Sequence, residues 1–123
     1  MEITLTKKIK ATPEEIYRAL TNPFTIQLWT DQDAVMEEKE GKDFSLFNGD
    51  ITGKNMEFRP NELIRQVWYF DDKESEVVIK IFQDKNYSQV RVEQTNIPAE
   101  AYENILSGWK ESLLGPLADF FEA

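Results

Sequence analysis

Apolar residues fall at Ile3, Leu5 and Ile9 with threonine and lysine between them, an even spacing that predicts a strand with one buried face. The period then lengthens. Thr12-Pro13-Glu14-Glu15 holds the parts of a helix start: a hydroxyl for the third amide, a proline for the first helical position, and a carboxylate that reaches back to the cap. Ile16 and Leu20 follow on one face, and Asn22-Pro23 restarts a second short helix carrying Phe24, Leu28 and Trp29. From about residue 35 the period falls to two. Phe44 and Leu46 alternate, Asn48-Gly49 marks a hairpin turn because both residues tolerate positive φ, and Ile51 opens a strand running to Phe58.

Ile64, Gln66, Trp68 and Phe70 share one face of the next strand, and Val77, Ile79 and Ile81 share a face of the one after. Asp71-Asp72-Lys73 and Asp84-Lys85-Asn86 supply turns, and Val90 and Val92 carry the meander to about Gln94. Gly53, inside a strand pattern, predicts a bend, a bulge or a close backbone approach. After Pro98 the period changes once more. Tyr102, Leu106, Trp109, Leu113 and Phe120 recur at helical spacing, and Gly115-Pro116 is expected to bend or break that helix. Strand, two helices, several antiparallel strands and one long helix make an α+β fold, the helix covering the apolar face of the sheet.

Composition narrows the function. The chain has 123 residues, 41% hydrophobic and 30% charged, which predicts one globular domain over 1–123. There is no cysteine and no histidine, so thiolate and imidazole chemistry, as nucleophile, base or metal ligand, has no source here. Acidic residues outnumber basic ones 23 to 14, a net charge of -9 that repels phosphate backbones and anionic membranes. No nucleic acid and no membrane insertion are expected, and the N-terminus shows no apolar block of a secretory signal, so a cytoplasmic location is the default.

Several segments together resemble one known family. They are Thr12-Pro13-Glu14-Glu15-Ile16-Tyr17, Gly49-Asp50-Ile51-Thr52-Gly53, Ile64 through Trp68 to Phe70, Asp84-Lys85-Asn86, Asn96-Ile97-Pro98-Ala99 and Gly108-Trp109. The chain is similar to the C-terminal domain of the activator of the heat-shock-protein-ninety ATPase and its bacterial single-domain homologues, within the START-like (SRPBCC) helix-grip superfamily. The resemblance implies a curved antiparallel sheet gripping the C-terminal helix, with a cavity between them in many relatives. Relatives bind apolar molecules, some are cyclases, and the namesakes stimulate a chaperone ATPase. The namesakes carry a separate N-terminal domain for which 123 residues leave no room.

Gln66 is the polar exception on an inward face, either an anchor for a ligand head group or a residue satisfied by a neighbour or a water. Asn55, Glu57 and Tyr102 are candidate companions. Trp68, Phe70, Tyr102 and Trp109 either wall a pocket or simply fill the core, and the candidate lining extends to Leu46, Ile51, Ile79, Val92 and Leu106. The acidic runs at Asp31–Glu40 and Asp71–Glu76 do not make a calcium loop, since counting from Asp31 puts Val35, Met36 and Lys42 at positions five, six and twelve. No phosphate-binding, dinucleotide or serine-hydrolase motif occurs, and no metal, cofactor or catalytic residue is assigned. The leading expectation is a non-catalytic domain holding a small hydrophobic or amphipathic ligand. The alternatives are a chaperone-contacting interaction domain in a stress pathway and a cyclase-like enzyme acting in the cavity.

Overall fold

The computed structural model describes residues 1–122. β1 (Ile3–Ile9) leads into α1 (Pro13–Thr21) and α2 (Pro23–Thr30), and then into the strands β2 (Asp43–Leu46), β3 (Ile51–Arg59), β4 (Leu63–Phe70), β5 (Lys73–Asp84) and β6 (Tyr87–Gln94). One antiparallel sheet contains all six in the order β1-β6-β5-β4-β3-β2. Both helix starts form as their residues dictate. Thr12 Oγ1 accepts from the Glu15 amide at 3.1 Å while Glu15 Oε1 accepts from the Thr12 amide at 2.9 Å, and Asn22 Oδ1 accepts from the Phe24 and Thr25 amides.

Of the three residues that the pattern picks out on the second helix, Trp29 alone faces inward. Ile26 and Trp29 are buried, the Trp29 indole donating to the Ala19 carbonyl at 2.8 Å, whereas Phe24 and Leu28 are 76% and 71% exposed. The Asn48-Gly49 turn is longer than a two-residue hairpin. Phe47, Asn48 and Gly49 all have positive φ, at 54°, 57° and 96°, and Leu46 pairs with Ile51 across them.

Gly53 is a site of close approach. A Cβ there would lie 2.1 Å from the Val67 carbonyl oxygen and 2.7 Å from the Phe44 ring, so only glycine fits. The sheet's irregularity falls further along β3, between Asn55 and Glu57. That extra residue turns Glu57 to the solvent face, where it pairs with Arg59 and Arg65.

The C-terminal stripe also needs correction. Residues 102–122 stay helical through Gly115-Pro116 rather than breaking: α3 (Tyr102–Gly108) passes through a π-helical turn (Trp109–Leu114) into α4 (Gly115–Glu122). In the wide turn the Gly115 amide reaches back to Lys110 O, and a Cβ on Gly115 would sit 2.7 Å from that oxygen. The turn absorbs the proline and inserts about one residue into the helical phase. Phe120 is therefore carried outward to 37% exposure, while Leu117 and Ala118 are buried.

Candidate functional site

The sheet register explains where the polar core groups lie. Asn55 pairs with Gln66, Gln66 with Val77, and Val77 with Gln94, so three amides share one row across β3, β4 and β6. All three are buried. Trp68 Nε1 donates to Gln66 Oε1 at 3.0 Å, Gln66 Nε2 donates to Asn55 Oδ1 at 3.0 Å, and Asn55 Nδ2 donates to the Glu37 carbonyl at 3.2 Å. A second chain runs beside the first. Trp109 Nε1 donates to Gln94 Oε1 at 2.7 Å, Gln94 Nε2 to Ser75 Oγ at 3.0 Å, and Ser75 Oγ to the Thr95 carbonyl at 2.6 Å. The two indoles that head these chains stack with centroids 5.0 Å apart and planes 18° from parallel.

Gln66 is thus satisfied by its neighbours, and no buried side-chain polar atom among the described residues lacks a partner. Asn55 joins it; Glu57 does not, having been turned out by the irregularity in β3. Gln94 and Ser75 escaped notice in the sequence. Gln94 follows Val90 and Val92 in the alternation that singled out Gln66, so the signal was present.

Between sheet and helix the space is nearly full. Leu46, Gln66 and Ile79 border a void of about 30 Å³, and Ile79 and Val92 border another of about 20 Å³, each the room of one or two waters. A sizeable opening lies at the mouth, a groove of about 490 Å³ between the β3–β4 end of the sheet and α3. Ile51, Trp68, Phe70 and Trp109 contribute to its walls, joined by Ile105 and Leu113 from the helix side. Asp50, Thr52 and Asn104 give it polar groups. Tyr102 and Leu106 are half-buried and line none of these spaces. Asp50, Asn104 and Ile105 were not anticipated: Asp50 lies in the turn before β3, and Asn104 and Ile105 sit beside the helical stripe that the spacing picks out.

The titrating groups with shifted values lie away from this groove. Burial raises the Tyr17 phenol well above its ordinary value, and its hydrogen bond to Glu38 adds to the effect. Hydrogen bonds from Arg65 and then Arg59 lower Glu57, and one from Lys80 lowers Glu93, both on the solvent face of the sheet. Chemically the groove offers apolar surface, a hydroxyl, an amide, a phenol and one carboxylate, which is equipment for binding.

Residues 10–122 match the family described as Activator of Hsp90 ATPase homolog 1-like protein. The chain belongs to that family. A Dictyostelium discoideum relative, the Activator of 90 kDa heat shock protein ATPase homolog, is 31% identical over 124 residues. That alignment covers 97% of this chain and 32% of the relative, so the chain spans about a third of the length of the curated protein it matches. Among solved structures, an HSP90 activator from Plasmodium falciparum superposes with a TM-score of 0.92 at 24% identity, covering 99% of this chain and 96% of that one. The Aha1 dimer from Colwellia psychrerythraea gives a TM-score of 0.87 at 24% identity, covering 99% and 96%. These two likenesses bear on the fold and bear out the helix-grip architecture, while the family match bears out the resemblance carried by the sequence segments.

Proposed function

We propose that this chain is a binding domain whose groove between β3–β4 and α3 holds a small hydrophobic or amphipathic molecule. The observation that supports it is the groove itself: about 490 Å³, with aromatic and aliphatic walls and a few convergent polar groups, in a molecule whose interior is otherwise filled. Gln66 belongs to the supporting layer behind this site, holding the Trp68 indole in place. Amide NMR spectra recorded during titration with fatty acids, sterols and hydrophobic amines test the reading. Saturable shifts at Ile51, Phe70, Ile105 and Trp109 are expected from one class, and an Ile105→Trp substitution that fills the groove should abolish them. A panel that leaves these amides unmoved, or binding unaffected by Ile105→Trp, sinks the proposal.

A second reading is contact with a heat-shock-protein-ninety chaperone, favoured by membership of a family named for that activity. Its test is the chaperone's ATP turnover with and without this chain. A rise that saturates with concentration supports it, and an unchanged rate dismisses it for this chain alone.

A further inference from the structure

The groove has a sign of charge. Its apolar walls meet solvent at Asp50, and among the described residues that line it there is no lysine or arginine. Asp50, like most of the acidic residues, has no ion-pair partner among the described residues. The depression continues past Asp50 into a second cleft, which shares Ile51, Gly108 and Leu113 with the first and reaches Gln32. Gln32 in turn borders a hollow with Asp31 and Asp33, and neither continuation contains a basic side chain.

Two hydrogen bonds join the segments that carry these carboxylates. The Asn48 side chain accepts from the Asp33 amide at 3.0 Å and donates to Gln32 Oε1 at 2.6 Å, tying the turn that carries Asp50 to the loop that carries Asp31 and Asp33. The turn itself is strained. Phe47, an aromatic residue, has φ of 54° and is followed by two more residues of positive φ. Such conformations persist where surrounding contacts enforce them.

We infer that the groove takes an amphipathic cation, a hydrophobic amine or quaternary ammonium whose apolar body lies against Ile51, Phe70 and Ile105 and whose head meets Asp50. The inference rests on the reading of the groove as a ligand site and adds the chemical class. An anionic head fares badly along the same walls. Both indole N–H groups are already committed, to Gln66 and Gln94, which leaves the neutral donors of Thr52, Tyr69 and Asn104, and the one charged group in the lining is Asp50, which repels it.

Three probes with one body separate the possibilities: 4-phenylbutylamine, 4-phenylbutanol and 4-phenylbutanoate, titrated into the full chain at low salt with amide shifts as the readout. The amine should bind about fivefold tighter than the alcohol, the scale of one exposed ion pair, and the carboxylate should bind weakest. Asp50→Asn should bring amine and alcohol to equal affinity. In the unsubstituted chain, about 0.5 M sodium chloride should narrow the same difference, which keeps the test independent of how Asp50→Asn folds. Equal affinity of amine and alcohol at low salt, or a preference that survives both Asp50→Asn and salt, overturns the charge assignment and leaves the groove as a neutral site. Failure of all three probes to shift the groove amides removes the cation and the groove reading together.

Discussion

Gln66 shows how a polar residue can serve a core. Its amide receives the Trp68 indole and passes a hydrogen bond on to Asn55, so replacing it strands two buried groups at once. Gln66→Leu should cost about 1–3 kcal/mol in urea unfolding, the penalty of buried groups left without partners; a neutral result would mean that the chain of amides is dispensable. The sequence identified Gln66 by its position among Ile64, Trp68 and Phe70, but strict alternation also pointed Glu57 inward. One extra residue in β3 reverses that, and no residue type nearby announces it. The consequence appears in acid. Glu57 and Glu93 titrate lower folded than unfolded, so their contribution is complete above the unfolded carboxylate value of about 4.3 and fades as pH falls through their folded values. Tyr17, raised by burial, acts at the other limit, with stability falling above about pH 10 as the unfolded phenol ionises. Urea midpoints across pH should show both shoulders, and Glu57→Gln with Glu93→Gln should flatten the acid one. An acid limb untouched by that pair would refute the assignment.

At the scale of elements, strands and helix starts were legible because their signals are local: alternation, caps and turn residues act within a few positions. The C-terminal helix was legible as a helix and misread in its phase. Gly115-Pro116 looks like a break, yet the preceding π-helical turn spares the backbone by letting the Gly115 amide bond to Lys110 O. Sequence periodicity assumes 3.6 residues per turn throughout, and one wide turn defeats it. Leu117, which is 1% exposed, should therefore be the costly position: Leu117→Ala should destabilise by about 2–5 kcal/mol. Phe120→Ala should cost less than about 1 kcal/mol, since that ring is partly in solvent. The reverse ranking in chemical denaturation would restore an uninterrupted α-helical phase. The site was only partly legible, because Asn104 and Ile105, which sit beside the stripe of Tyr102, Leu106 and Trp109, line the groove while Tyr102 and Leu106 do not.

The whole molecule is electrically lopsided. Its six strands carry eight basic and six acidic residues, whereas the helices and connections carry six basic and seventeen acidic ones. The groove's one charged lining residue, Asp50, belongs to a connection, and the acidic part, the connections and helices, draws basic partners and discourages acidic ones. If the chain stimulates a chaperone ATPase through that part, the stimulation at fixed concentration should fall steadily as sodium chloride is raised. A salt-independent effect would locate the contact on the nearly neutral sheet or on exposed apolar residues such as Phe24 and Leu28.

The stacked indoles of Trp68 and Trp109 couple two parts of the chain that no short-range interaction joins, one on β4 and the other where the terminal helix widens. Two parallel chromophores 5.0 Å apart should exchange excitation, which makes the pair an optical gauge of helix docking. A circular-dichroism couplet from this pair should vanish in Trp109→Phe and in any state where the helix lifts from the sheet, even while the strands remain paired. The protein thus carries its own signal for whether the grip is closed.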